Sequence, residues 1–302
     1  MSQLDFSDKS TTVRSLFSGL QALSPALAAQ LAAASMFKTQ RRRADGWEHE
    51  LLERAEELRV EGPSGHISAR RWGEPGPLVL LVHGWNGRGS QLGAFVAPLL
   101  AQGYQVVCFD SPGHGRSDGS RSSLLEFANA FDAVLDAVRP FFQPLHGVVA
   151  HSMGGAAVTF ALSRARARGR DAAEPGVLEP RLVFIAPPID LRDFVDTVSQ
   201  QLGLLPRTQA RLQGLVERRI GERLEDLHAL KLAGSMPQPL LVVHDEQDRA
   251  VPFACGASLA QAWPGAELRA TRGLGHSRIL RDPQVISAVT GFLGDGRRAP
   301  RA

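Results

Sequence analysis

A serine hydroxyl is a weak nucleophile until a neighbouring base takes its proton, so the serines of interest are those that a tight turn could hold clear of a regular element. Two segments compete for that role. Gly115-Arg116-Ser117-Asp118-Gly119 matches the spacing GxSxG literally, whereas Ala150-His151-Ser152-Met153-Gly154-Gly155 has alanine at its first small position. The motif works where a strand ends in a strained turn that opens a helix, because the hydroxyl then faces the helix's positive N-terminus. Ser117 follows the turn-rich run Asp110-Ser111-Pro112-Gly113-His114, and no apolar segment feeds into it; it reads as loop. Gly147-Val148-Val149-Ala150 enters Ser152, and Gly154 to Phe160 leaves with helical composition. Ser152 is therefore the candidate nucleophile, the plain alternative being a serine that caps a helix.

Nine histidines could supply the base. His49, His66 and His228 fall in helical or early-strand stretches and His146 starts a strand, whereas His83, His114, His151, His244 and His276 follow strands. His276 is chosen, since Gly273 and Gly275 beside it allow close approach. An orienting carboxylate is needed after the neighbouring apolar run Leu240-Leu241-Val242-Val243, and His244-Asp245-Glu246-Gln247-Asp248 offers three acids. Asp248 is preferred, because Asp248 to Val251 leaves a loop deep enough to turn a carboxylate back before Pro252 opens a helix; Asp245 is the second choice. Two N–H groups should meet the oxyanion: Met153, directly after the nucleophile, and Trp85, in the turn His83-Gly84-Trp85-Asn86-Gly87. The indole of Trp85 would also wall the acyl site.

These residues need a sheet to carry them. Eight short β-like runs are expected at Ala55–Val60, His66–Trp72, Pro77–Val82, Gln105–Phe109, His146–Ala150, Leu182–Ile185, Pro239–Val243 and Glu267–Ala270. Their alternation with helical stretches predicts an α/β fold with a mostly parallel sheet. Leu92, Phe95, Val96 and Leu99 share one helical face, and helices are also expected over Leu124 to Val138, Gly154 to Leu162 and Val285 to Leu293. Pro188 to Met236 is too long for one crossover and reads as a helical cap with apolar stripes at Leu191, Phe194, Val195, Val198, Leu202 and at Leu212, Leu215, Val216, Ile220. The resulting division is an N-terminal helical extension over 1–50, a core over 51–187 and 237–296, and a cap over 188–236. The polar tail from Gly294 to Ala302 is expected to fray.

The chain of 302 residues, 43% hydrophobic and 22% charged, has enough apolar material for one large core. Its 34 Lys and Arg are interspersed with 31 Asp and Glu for a net charge of +3, which gives no case for a nucleic-acid partner. With two cysteines, Cys108 lying in a strand-like run, a reducing, cytoplasmic setting is expected. Leu16 to Phe37 is rich in Ala and Leu and precedes Lys38 and Arg41-Arg42-Arg43, but polar residues interrupt it too often for a span of roughly 20 apolar residues. It reads as a surface helix packed on the core, with peripheral membrane contact through the same helix as the alternative. No HExxH or paired CxxC is present, so neither metal nor cofactor is expected.

Over roughly residues 55 to 295 the chain resembles the α/β-hydrolase superfamily, and within it the lipase and esterase group with a lid-like helical insertion. The likeness rests on His83-Gly84-Trp85, Asp110 to Ser117, the turn at Ser152, Asp248-Arg249-Ala250-Val251-Pro252 and Gly275-His276. In that family the loop matching 110–117 is structural. Ala150 in place of the usual Gly and the first 50 residues are departures. The resemblance implies an eight-stranded sheet flanked by helices and a serine esterase acting on small-molecule esters, and the cap's apolar stripes suggest a hydrophobic acyl or alcohol group in the substrate. The Ser nucleophile speaks against dehalogenases and epoxide hydrolases, which use Asp, and the only Tyr, Tyr104, lies wrongly for prolyl-peptidase-like members. Carbon–carbon hydrolases and perhydrolases use the same triad and stay open, as does a binding member of the fold without turnover.

Overall fold

All eight expected strands form, and they join in one sheet. The computed structural model describes residues 10–139, 145–169 and 180–295; the tail from 296 onward, expected to fray, lies outside the described residues. The strands are β1 (Glu56–Gly62), β2 (Gly65–Trp72), β3 (Leu78–Val82), β4 (Gln105–Phe109), β5 (Leu145–His151), β6 (Arg181–Ile185), β7 (Leu240–Asp245) and β8 (Glu267–Thr271). Their order is β1-β2-β4-β3-β5-β6-β7-β8. β1 and β2 are antiparallel to their neighbours, and every pairing from β4 to β8 is parallel.

A parallel sheet must be covered on both faces, and the central strand β3 is accordingly apolar at every position. In β3, Leu78, Leu80 and Val82 join one hydrophobic cluster while Val79 and Leu81 join the other. Leu92, Phe95, Val96 and Leu99, expected on one helical face, all point into the second cluster. The chain there forms a 3-10 segment (Gly89–Phe95) running into a helix (Val96–Ala101). The helix Leu124–Val138 has the expected limits, and Met153–Ala167 and Pro283–Asp295 extend the expected ones.

Between β6 and β7 the insertion holds two long helices, Leu191–Leu202 and Pro206–Ile220, each closed by a glycine in the left-handed region, then two short turns of helix. The stretch expected as one N-terminal helix is two, Ser10–Leu23 and Pro25–Met36. Ser24 separates them: its side chain accepts the N–H of Leu27, and Pro25 sits at the first helical position, where a missing N–H costs nothing. The second helix lays Ala28, Ala29, Ala32, Ala33 and Met36 inward and packs on Pro206–Ile220. Leu16, Leu23, Leu27 and Leu31 remain exposed. No helix among the described residues is long and apolar enough to cross a membrane.

Candidate active site

The carboxyl ends of β3, β5, β7 and β8 carry the residues singled out from sequence. Ser152 follows β5 directly and opens the helix Met153–Ala167 with φ 53° and ψ −124°. Three non-glycine residues among the described ones have positive φ, Asn86, Ser152 and Ala186, and they follow β3, β5 and β6. Such strain costs on the order of 1–3 kcal/mol each and persists only where surroundings over-determine it. Here the Ser152 N–H donates to Ile185 O (2.9 Å) and the Ala186 N–H to Val243 O (2.8 Å). Gly154 is required, because a Cβ there would lie 2.7 Å from the carbonyl oxygens of both Val82 and His83. Ala150, in contrast, fits as the last fully buried apolar residue of β5.

His276 and Asp248 meet. The imidazole Nδ1 lies 2.7 Å from Asp248 Oδ2, and Nε2 is buried with no hydrogen-bond partner. Burial lowers the pKa of His276, and the Asp248 contact opposes this only in part, so the ring is held below its ordinary value. For Asp248 burial pushes upward but is outweighed by His276 and by the N–H groups of Val251 and Ala250, which leaves the carboxyl below its ordinary range. Asp245 is fully buried and otherwise engaged: it accepts from Thr271 Oγ1 (2.8 Å), Leu274 N–H (2.9 Å) and Gln247 N–H (3.0 Å). It ties β7 to β8 and to the turn that carries His276. His151, just before Ser152, packs its ring 4.6 Å from that of His276 and bonds the His276 carbonyl through Nε2 (2.9 Å).

The turn after β3 presses on the serine, since a Cβ on Gly84 would come within 2.9 Å of Ser152 Cβ. Two buried neutral histidines fix it. His83 accepts the Ser111 N–H at Nε2 (2.9 Å), and His114 accepts the Asn86 N–H at Nε2 (3.0 Å). Burial lowers their pKa values to about 4 and about 3, so both stay acceptors across the physiological range. Trp85 and Met153 line one cavity with Ser152. Met153 opens a helix, and the first N–H groups of a helix have no acceptor within it.

With this geometry the chain can be set beside known proteins. A family model described as the alpha/beta hydrolase family matches residues 79–289. The chain belongs to the alpha/beta hydrolase family. It is 31% identical over 255 residues (75% of this chain, 92% of the relative) to a pimeloyl-acyl-carrier-protein methyl ester esterase of Methylococcus capsulatus. It is 29% identical over 237 residues (66% and 80%) to a 2-hydroxy-6-oxononadienedioate/2-hydroxy-6-oxononatrienedioate hydrolase of Dechloromonas aromatica. The esterase Pf2001 of Pyrococcus furiosus shares the fold with a TM-score of 0.61 at 18% identity, over 85% of this chain and 98% of that one.

In this alpha/beta hydrolase the cavity at Ser152, about 60 Å³, is walled by Trp85, Met153, Leu191, Phe194, Val251 and Pro252. Among the described residues, its charged lining is Asp190 and Asp193. A second void of about 20 Å³ shares Trp85, Met153, Leu191 and Phe194 with it and adds Met36, Phe37, Leu124, Val216 and Ile220. Met36 and Phe37 are not marked in the sequence, because the N-terminal stretch carries no motif and reaches the site through packing on the insertion and through backbone bonds such as Ser122 N–H to Phe37 O (2.9 Å). Ser117 lies apart from this cavity: its hydroxyl donates to Asp110 O and accepts the Ser68 N–H (2.8 Å). Among the described residues no group of three His, Cys, Asp or Glu side chains is placed to hold a metal ion.

Proposed function

We propose that this chain is a serine hydrolase of carboxylic esters. Ser152 attacks the ester carbonyl, His276 takes its proton, Asp248 orients His276, and the N–H groups of Trp85 and Met153 hold the oxyanion. The observation that carries the reading is the state of His276. Its Nδ1–H is donated to Asp248, so the lone pair sits on Nε2, which is buried and unpartnered in a ring packed on the residue preceding Ser152. The proton taken from Ser152 passes to the leaving alcohol as the tetrahedral intermediate collapses to an acyl-enzyme. Water, deprotonated by the same nitrogen, then releases the acid. Each oxyanion donor contributes on the order of 3 kcal/mol to the transition state.

The apolar walls, continuing past Phe194 to Phe37 and Ile220, favour a small ester with an apolar acyl or alcohol group. The relative from Methylococcus supports ester chemistry. The Dechloromonas relative favours a second reading, hydrolysis of a carbon–carbon bond by the same residues. Its named substrates are dicarboxylates, however, and the cavity here offers two aspartates and no cation. A fluorophosphonate probe should label the purified protein at Ser152, and Ser152→Ala should abolish labelling and lower kcat on nitrophenyl esters by about 10⁶-fold. Absence of labelling, or labelling that survives Ser152→Ala, removes the proposal. Faster turnover of a 2-hydroxy-6-oxo-dienoate than of any nitrophenyl ester selects the second reading.

A further inference from the structure

A larger cavity, about 320 Å³, shares none of its lining residues with the one at Ser152. β2 and β4 supply its inner wall, the 42–44 segment and the helix Gly46–Glu53 another, and the loop at Gly115 and Arg116 its rim. Five arginines line it, Arg42, Arg43, Arg70, Arg88 and Arg116, against one carboxylate, Asp110. Two of the five are spoken for: Arg88 pairs with the fully buried Glu48, and Arg70 with Glu57 at 3.2 Å. Asp110 is spent on backbone, accepting the N–H groups of Gly89 (2.8 Å) and Arg116 (2.9 Å). Arg42, Arg43 and Arg116 have no ion-pair partner among the described residues, although they border the same space.

Like charges gathered at a concave wall repel unless an anion joins them, and guanidinium groups match phosphate oxygens in geometry. The rim is held in place without a ligand, because Arg41 donates to the carbonyls of Gly115, Ser117 and Gly119. Phe109 and Leu52 supply apolar wall beside the cations. The volume is that of a small-ligand site. We infer that this cavity binds a phosphomonoester with a short apolar body, its phosphate held by Arg42, Arg43 and Arg116. The ester reading of Ser152 plays no part in this inference.

Calorimetric titration of the full chain with butyl phosphate, inorganic phosphate and butanol tests it. Butyl phosphate should bind saturably with one site, inorganic phosphate more weakly, and butanol not at all. The triple variant Arg42→Ala/Arg43→Ala/Arg116→Ala should bind at least about tenfold more weakly with its melting temperature unchanged, since none of the three side chains makes an ion pair among the described residues. Arg116→Gln alone should weaken binding severalfold and serves if the triple variant folds poorly. Ser152→Ala should keep wild-type affinity, which separates this cavity from the one at the serine. Sedimentation with phosphatidylcholine vesicles carrying phosphatidic acid distinguishes the source: arginine-dependent binding to vesicles but not to butyl phosphate makes the phosphate a lipid headgroup. The inference is overturned if neither soluble probe nor vesicles bind, or if binding is indifferent to the three arginines.

Discussion

Two cavities flank the loop from Asp110 to Ser117 and its contacts, and they are built on opposite electrical plans. At Ser152 the two carboxylates that follow the sheet have fixed partners, Asp248 taking His276 and Asp245 taking backbone and Thr271, and the cavity walls are mostly apolar. At Arg116 three cations have no ion-pair partner among the described residues. The loop itself serves both, since Asp110 holds the rim of the basic cavity while Ser111 and His114 bond His83 and Asn86 beside the serine. The contrast is between a buried network in which His276 Nε2 is left without a partner beside the serine and a surface cavity at which the fold leaves positive charge uncompensated.

The largest effect expected from this contrast lies in the network at the serine. Asp248→Asn should lower kcat by about 10⁴-fold, because the amide no longer holds Nδ1 as the donor. Asp245→Asn should chiefly lower the melting temperature, since its three accepted hydrogen bonds tie β8 and the His276 turn to β7. Steady-state kinetics and thermal unfolding of both variants check this, and a larger kinetic defect at Asp245 would move the acid role to it.

Next in size is the buried pair behind the basic cavity. Glu48→Ala leaves Arg88 without its counter-charge in a buried position and should cost about 3–5 kcal/mol of stability, measured by denaturant unfolding. Ester kcat measured below the melting transition should change little, as Glu48 contacts nothing in the cavity at Ser152. A variant as stable as the wild type would show that the two regions do not differ in how they handle charge.

The smallest effect is on pH dependence. His276 must be neutral to accept a proton, and burial sets its pKa below the ordinary imidazole value of 6.5. Activity should therefore stay level as pH falls through neutrality and decline only below 6.5, as the ring gains its proton. A pH profile of kcat/KM on a nitrophenyl ester with its acid midpoint above 6.5 would contradict the burial argument.

Much of this was legible in the chain. The strands were, because runs such as Leu78-Val79-Leu80-Leu81-Val82 are buried on both faces and are bounded by Gly and Pro. The setting of Ser152 was, because an apolar strand run that meets a serine and continues at once as a helix with two small residues in its first turn is the pattern of a nucleophile elbow. The N-terminal stretch was harder. Ser24-Pro25 is a helix-start signal, yet the Ala and Leu content on either side reads as one continuous helix. Its delivery of Met36 and Phe37 to the void beside the serine's cavity draws on the partner helix Pro206–Ile220, some 170 residues away in sequence.

What the sequence determined by itself was local: which runs are strands, where they stop, and which of two serines follows one. Period and turn chemistry act over a few residues, so one dimension suffices. The tertiary structure decided the pairings. Asp245 ends β7 and Asp248 follows three positions later, and only the cross-strand register, with Asp245 opposite Thr271 in β8, spends the first on its neighbour and leaves the second for His276. The five arginines come from positions 42 to 116 and none is unusual alone; they become a site because β2, β4 and the N-terminal segment bring their charges to one concave wall.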